Sequence, residues 1–428
     1  MCKLNSSFIE VKPTTIAKIN WVLNLLVRNH SLDNCKNSNS QLTIGFQNTN
    51  VLISHQFYKD LAENIYNHEH HMKDGPWISL PSGEKDYLSS IFYLVNSLQE
   101  YGAADLDHYG RFKYENSLQK KWGVVTKNIV WDYIKAFCNQ HNISYSTKPI
   151  HNCFLTHDID FLYAGWKMEG FWALRKGRIL TTANIIFRRF FGQPIFANLK
   201  DISTREKRHG LQSSYFWISK KGRCTDGIKN ADYSLREKLV EALRNETSSL
   251  GAEHGLHKST LATYFKEEIV NCPYEVKANR YHFLKFNIPA AYDAIEEAGI
   301  KIDTSLGFAE HYGYRNSYGL PFCPYNMKED RPYDFIEVPL HIMDGTFIHY
   351  MELAQSEVFE EVKKWIYEVK EHTLFTVLWH NNELTDYSYA EMSKCYDSIL
   401  EYIKDEGINS VSQDELINNY LSNYMLRF

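Results

Sequence analysis

The chain has 428 residues, 44% hydrophobic, 23% charged and 14% aromatic, with a formal net charge of −5. Such a length suggests two folded units with a sizeable core, and the near-balanced charge excludes a global electrostatic pull towards nucleic acid. Eight cysteines stand singly, without zinc-ribbon or redox spacing, and read as free thiols of a reducing compartment. No apolar run reaches about 18 residues, so no membrane-spanning helix is expected. The run INWVLNLLV, from Ile19, is too short and too far in to be the core of a signal sequence. The expected location is the cytoplasm, with at most peripheral contact to the inner membrane.

Residues 1–148 form the first expected unit, a smaller α/β domain. IAKINWVLNLLV has helical period, while QLTIGFQ and VLISHQFY read as short strands. Residues 86–102, DYLSSIFYLVNSLQEYG, place apolar side chains three and four apart, with Gly102 as the stop. DHYGRF is a turn. NIVWDYIKAFCNQHN reads as a helix and breaks at STKPIHN.

Residues 149–428 alternate short apolar runs with amphipathic segments. The expected strands are CFLTHD, SSYFWIS, LGAEHGLH, GIKIDTS, DFIEVPLHIMD and LFTVLWH. The expected helices are SLREKLVEALRNETSSL, TLATYFKEEIVNC, IPAAYDAIEEAG, SEVFEEVKKWIYEVKEH and YAEMSKCYDSILEYIKDEG. This alternation predicts a parallel α/β sheet or barrel. Polar residues gather where the strands end: Asp158, Asp160, His254, His257, Asp303, Asp344 and His380. Ligands of parallel α/β folds bind at those ends, so the pattern points to an enzyme.

A basic, aromatic insertion interrupts this pattern at about residues 165–208. Residues 167–208 hold ten Lys or Arg against three acids, with Trp172, Phe187, Phe190, Phe191 and Phe196 among them. It fits contact with a membrane surface or a lipid-phosphate-linked substrate. The alternative is a solvated basic helix whose apolar face lies on the core.

Carboxylate oxygens and imidazole nitrogens suit a divalent metal such as zinc, and three protein ligands leave a position for water. Such a metal acidifies water and polarises a carbonyl. A further carboxylate can act as base and a histidine as acid. Residues two apart on a strand share a face, so Asp158 and Asp160 can reach one site, one as base and one as ligand. His254 and His257, three apart, would face opposite ways. Arg280 and His282 share a face if NRYHFLKF is extended. Any single histidine here is more often structural than catalytic.

These segments resemble the motifs of NodB-type polysaccharide deacetylases, carbohydrate esterase family four. LTHDID resembles the first motif, GAEHGLHKS the second, VKANRYHFLKF the third and LFTVLWHNNE the last. AGIKIDTSLGF, GLPFCPY and IEVPL resemble a run found in one subgroup. DYLSSIFYLVNSLQEYGAADLDHYGRFKYENS is similar to a domain that precedes the deacetylase domain in a bacterial group of surface-polysaccharide enzymes. The resemblance implies a deformed (β/α) barrel of the polysaccharide deacetylase type at 149–428, behind the N-terminal α/β domain. It implies Asp158 as base, Asp160 and His257 as metal ligands, and Arg280 holding Asp158 ionised. His380 would be the acid, with Asp303 or Asp344 raising the pKa of a catalytic histidine. The sequence departs from the usual second motif: Leu261 stands where a second histidine is expected, four residues after His257. His282 is the expected third ligand, with His254 as the fallback and packing beside Tyr281 and Phe283 as the structural alternative.

The expected activity is removal of an acetyl group from a sugar, with a divalent metal, most simply Zn2+. Trp379, Tyr312, Tyr325 and Arg315 are the expected sugar contacts. The expected substrates are acetylated nucleotide-sugar or lipid-linked glycans of cell-surface polysaccharide biosynthesis. The alternatives are hydrolysis of another C–N bond, or a non-catalytic carbohydrate-binding or assembly protein on the same fold.

Overall fold

Seven successive residues of the segment Asn152–Ile159 are buried. A strand hidden on both faces belongs in the middle of a covered parallel sheet, and this one, β1, sits there. The computed structural model describes residues 13–29 and 51–422, apart from 52, 81, 144, 146–148, 224–226 and 262. After β1 the chain lays down β2 (Ser213–Ile218), β3 (Glu253–Lys258), β4 (Ala278–Tyr281) and β5 (Ile302–Asp303). Then follow β6 (Ile336–Glu337), β7 (Ile342–Met343), β8 (Phe375–Leu378) and β9 (Asn409–Ser410). The spatial order is β6-β5-β4-β3-β2-β1-β8-β7, with β9 added beside β1. Every pairing in this sheet is parallel.

β6 and β7 are opposite edges, yet only residues 338–341 separate them. That stretch spans about 17 Å at most when extended. The sheet must therefore curl until its edges nearly meet, as a deformed, incompletely closed barrel. The expected single strand over 334–344 is split into β6 and β7. Pro339 lies in the break, where it has no N–H to give a ladder.

Alternation along β1 separates two layers. Phe154, with Phe216 of β2, belongs to the core that fills the barrel. Cys153, Leu155 and Ile159 pack with Val358, Val362, Trp365 and Ile366 of a helix over Val358–Val369.

The inner core continues into the helices that precede β1. There α1 (Pro13–Asn29), α2 (His55–Ala62), α3 (Tyr87–Val95) and α4 (Ile129–Gln140) contribute Trp21, Phe57, Ile91, Phe92 and Val130 to the same cluster. Two expectations change here. VLISHQFY is not a strand: Ser54 accepts from the Phe57 N–H at 3.3 Å and starts α2. Phe57, Tyr58 and Leu61 are buried at helical spacing. The helix expected over 86–102 stops at Val95, because Ser97 turns left-handed at φ 50° before a short 3-10 turn. QLTIGFQ lies outside the described residues.

Charged side chains also join the two parts. Arg315 reaches Glu100 with two nitrogens, at 2.9 and 2.6 Å, and both residues are buried. The Trp21 indole N–H donates to the Cys323 carbonyl at 3.0 Å. Breaking a buried pair by removing one partner costs about 3–5 kcal/mol, since the other charge is left behind. Glu100→Ala should therefore lower the urea midpoint of unfolding, read by circular dichroism, by that amount of stability. An unchanged midpoint would show that the seam does not hold the fold.

Candidate active site

Parallel register places the chemistry. His257 on β3 is the partner of Arg280 on β4, so both side chains leave the same face. Asp158 ends β1 on the inner face, and Asp160 follows two residues on. Each of these positions is the carboxyl end of a strand, where the ladder stops and side chains meet an open barrel mouth.

Asp160, His257 and His282 bring one ligand atom each within 4.8 Å of one another. His257 Nε2 and His282 Nε2 stand 3.4 and 3.5 Å from the same Asp160 oxygen. Tetrahedral zinc with bonds of about 2.0–2.1 Å separates its donors by about 3.3 Å. The histidine tautomers suit this use. His257 Nδ1 donates to the Arg280 carbonyl at 3.0 Å, and His282 Nδ1 donates to Asn230 Oδ1 at 3.2 Å. Each Nε2 therefore turns its lone pair inward.

Asp160 Oδ1 and His282 Nε2 are both buried without a hydrogen-bond partner. Buried polar atoms are rarely left so, and a shared cation would satisfy both. Burial raises the Asp160 pKa, but the facing His282, His257 and His380 hold it well below the ordinary carboxylate range. Burial lowers the His282 pKa against the pull of Asp160, which favours a neutral imidazole.

A second group, Asp60, His70 and His71, also converges among the described residues. Its carboxylate is already engaged, while His71 Nδ1 stays 3.9 Å from it. His70 bonds Asp60 at 2.9 Å, Gln56 donates to Asp60, and His71 donates to the Ile65 carbonyl.

Around the first group stand an anionic and a cationic partner pair. Arg280 meets Asp158 at 3.0 Å and is braced by Thr156 Oγ1 and by the Thr304 carbonyl and hydroxyl. His380 Nδ1 donates to Asp344 Oδ1 at 2.7 Å, and its Nε2 lies 4.0 Å from Asp160. Burial lowers the His380 pKa, but Asp344 first, then Asp160 and Asp158, outweigh it and raise it well above the usual imidazole value. A cavity of about 240 Å³ opens over Asp158, Asp160, His257, His282 and His380.

The N-terminal unit supplies Arg111 to the wall of this cavity. Its guanidinium is tied to Asp107 at 2.7 Å and donates to the Phe283 carbonyl at 3.2 Å. Phe283 and Leu284 both have positive φ, 60° and 51°. Two bulky residues in that region are strained, and the bend follows directly on His282. Arg111 thus braces the loop that aims His282, a candidate donor. Removing an outer partner of a ligand typically costs 10–100-fold in affinity. Arg111→Ala should lower metal affinity by about that factor, measured by chelator competition. Unaltered affinity would reduce Arg111 to a packing residue.

The structure separates other residues from the site. Asp303 is the register partner of Asn279, which alternates with Arg280, so it leaves the opposite face. It is held by Asn279 at 2.7 Å and by Ser305. Asp344, not Asp303, meets the histidine. His254 is committed to Trp217 and Ser248, so it is not the third donor. The four expected sugar contacts are corrected. Trp379 is fully buried against Tyr396. Tyr312 is buried, stacks on Phe347 and bonds Glu361. Tyr325 packs on Trp21 and Phe92, and Arg315 pairs with Glu100. Large rings contribute most where they lose most water, and these four side chains serve the core and the seam. Asn230 lies outside every quoted motif, and Arg111 lies in DHYGRF, which reads only as a turn, so neither shows itself as a site residue in the sequence.

A family of unknown function, DUF7033, matches residues 14–142. No curated protein matches the sequence. Among solved structures, a protein from Mycobacterium smegmatis described as a polysaccharide deacetylase aligns over 65% of this chain and 94% of its own. The identity is 9% and the TM-score 0.41. A CE4-family pseudoenzyme from Bacillus anthracis aligns over 63% of this chain and 67% of its own, at 9% identity and TM-score 0.30.

Proposed function

We propose that the protein is a metal-dependent hydrolase that removes an acetyl group from a sugar. The observation that carries this reading is the meeting of Asp160, His257 and His282 beneath two acid–base pairs, Asp158 with Arg280 and His380 with Asp344. The three donors would hold a divalent cation, and the mixed oxygen and nitrogen set suits Zn2+. Such an ion supplies Lewis acidity towards an acyl oxygen and makes water more acidic.

The chain's own residues divide the proton work. Asp158 accepts a proton from the attacking water, with Arg280 fixing its orientation. His380 carries a proton on Nε2 and gives it to the leaving nitrogen or oxygen. Asp344 fixes the tautomer and favours the charged ring before transfer. The substrates we favour are nucleotide-linked or lipid-linked glycan precursors of cell-surface polysaccharide, met at the cytoplasmic side.

The test is acetate release from acetylated amino-sugar oligomers, with metal analysis of the purified protein. The reading expects about one zinc per chain and acetate release that a chelator abolishes and zinc restores. A metal-free protein that still binds glycans would replace it with a non-catalytic carbohydrate-binding role. Metal without acetate release, but with opening of cyclic amides, would move the activity to another C–N bond.

A further inference from the structure

Between β1 and β2 the chain forms α5 (Gly165–Arg175), α6 (Ile179–Phe191) and α7 (Leu199–Arg208). The first two make a hairpin, turned at residues 176–178 with Gly177 at φ 69°. Its inner side is well seated. Ala173 and Ile185 pack with Ile195 and Phe196, and buried Glu169 is bonded by Thr385 and by Ser388 at 2.9 and 3.0 Å.

Its outer side is apolar. Leu180 is 88% exposed, Phe191 79%, Phe190 70% and Phe171 68%. Nine of the fifteen exposed large hydrophobic residues among those described fall in this one hairpin. Such a concentration is not surface scatter; it marks a contact surface.

The charge on the hairpin indicates what it contacts. Residues 165–191 carry six cations, Lys167, Arg175, Lys176, Arg178, Arg188 and Arg189, and one acid, the buried Glu169. Among the described residues none of the six has an acidic partner within 4.0 Å. The whole chain is net negative, at −5, so this cationic cluster is local. Cations stand near both ends of each helix among the apolar residues: Phe171 and Leu174 lie between Lys167 and Arg175, and Phe190 and Phe191 follow directly on Arg188 and Arg189. That arrangement lets rings and aliphatic chains enter an acyl boundary while the cations stay among anionic headgroups. The helices have 11 and 13 residues, short of the roughly 20 that cross a bilayer.

We propose that the α5–α6 hairpin docks the protein on the surface of an anionic lipid bilayer. Met168 of α5 and the neighbouring Phe161 also line the cavity over Asp158 and Asp160. Docking therefore sets the cavity mouth beside the lipid plane, which suits an acyl sugar carried on a lipid phosphate. This last step rests on the proposed hydrolase function; the docking does not.

The test is co-sedimentation of the full chain with phosphatidylcholine vesicles, and with vesicles that also contain phosphatidylglycerol. The wild type should pellet with the anionic vesicles, less so at high salt, and remain in the supernatant with phosphatidylcholine alone. Arg188→Glu with Arg189→Glu, and separately Phe187→Ser with Phe190→Ser and Phe191→Ser, should each weaken that partition about tenfold or more. A readout that needs no variant is hydrogen exchange, which should slow over residues 179–191 when anionic vesicles are added. Wild-type protein that stays in the supernatant with anionic vesicles would overturn the proposal, as would variants that bind like wild type. A dimer in light scattering that the Phe variant dissolves, without vesicle binding, would assign the surface to a second copy of the chain and equally overturn it. Metal content and acetate release from a soluble sugar are separate readouts, so failure of docking is distinguishable from failure of the hydrolase reading.

Discussion

Asp160→Ala should empty the barrel mouth of metal. Structural zinc sites with four ligands bind with about 10–16 kcal/mol, so one ligand carries roughly 3–4 kcal/mol. Its loss should weaken affinity ~10²–10³-fold. After dialysis, elemental analysis should find less than about a tenth of the wild-type metal, given that affinity loss. The fold should survive the change, because Asp160 Oδ1 has no hydrogen-bond partner to lose. The facing His282, His257 and His380 hold the Asp160 pKa low, so the apo variant loses that stabilisation and should melt somewhat lower than the wild-type apo protein at neutral pH while still folding. His282→Ala should likewise lose the metal, though it also removes a buried ring whose Nδ1 donates to Asn230. His254→Ala should leave metal content alone, because both of its nitrogens are engaged elsewhere. Full metal content in Asp160→Ala would remove the basis of the proposed chemistry.

Asp158→Asn should keep the metal and lose turnover. General base catalysis contributes about 10²–10⁴-fold, and kcat should fall by that factor. The amide oxygen can still accept from Arg280, now 3.0 Å from the carboxylate, so the buried guanidinium is not stranded. That makes Asn a better probe than Ala, which would take away the hydrogen-bond acceptor of Arg280 as well as the charge. The informative pair of measurements is kcat with bound zinc. Lost kcat with retained zinc assigns Asp158 to proton transfer. Lost zinc would mean that Asp158 and Asp160 have exchanged roles.

Much of the fold was legible in local pattern. The strands at 153–158, 213–219, 250–257 and 374–380, and the helices over 128–142, 356–372 and 389–407, stand where periodicity placed them. Burial of one face at period two or 3.6 is written in the order of residues, so no distant contact is needed to see it. VLISHQFY misled because its apolar residues fit either period, and the Ser54 cap decided for helix. The strand at 278–281, ANRY, carries Asn279 and Arg280 in its middle, so no apolar run marks it.

The site divides along the same line. The chain itself determined which residues are candidates for acid, base and donor chemistry, and that they stand at strand ends. It also determined that Asp158 and Asp160, two apart, share a face. Register and loop geometry decided the rest. Pairing of Asn279 with Asp303 turned Asp303 outward and left Asp344 for His380. The bend at Phe283 and Leu284, braced by Arg111 from over a hundred and seventy residues earlier, aimed His282 at Asp160. Whether an aromatic ring lies in the core or at the surface also waited for the fold. Trp379, expected among the sugar contacts, is fully buried, while Phe191 faces solvent. Burial and convergence are properties of elements far apart in the chain, and only their packing brings them into contact.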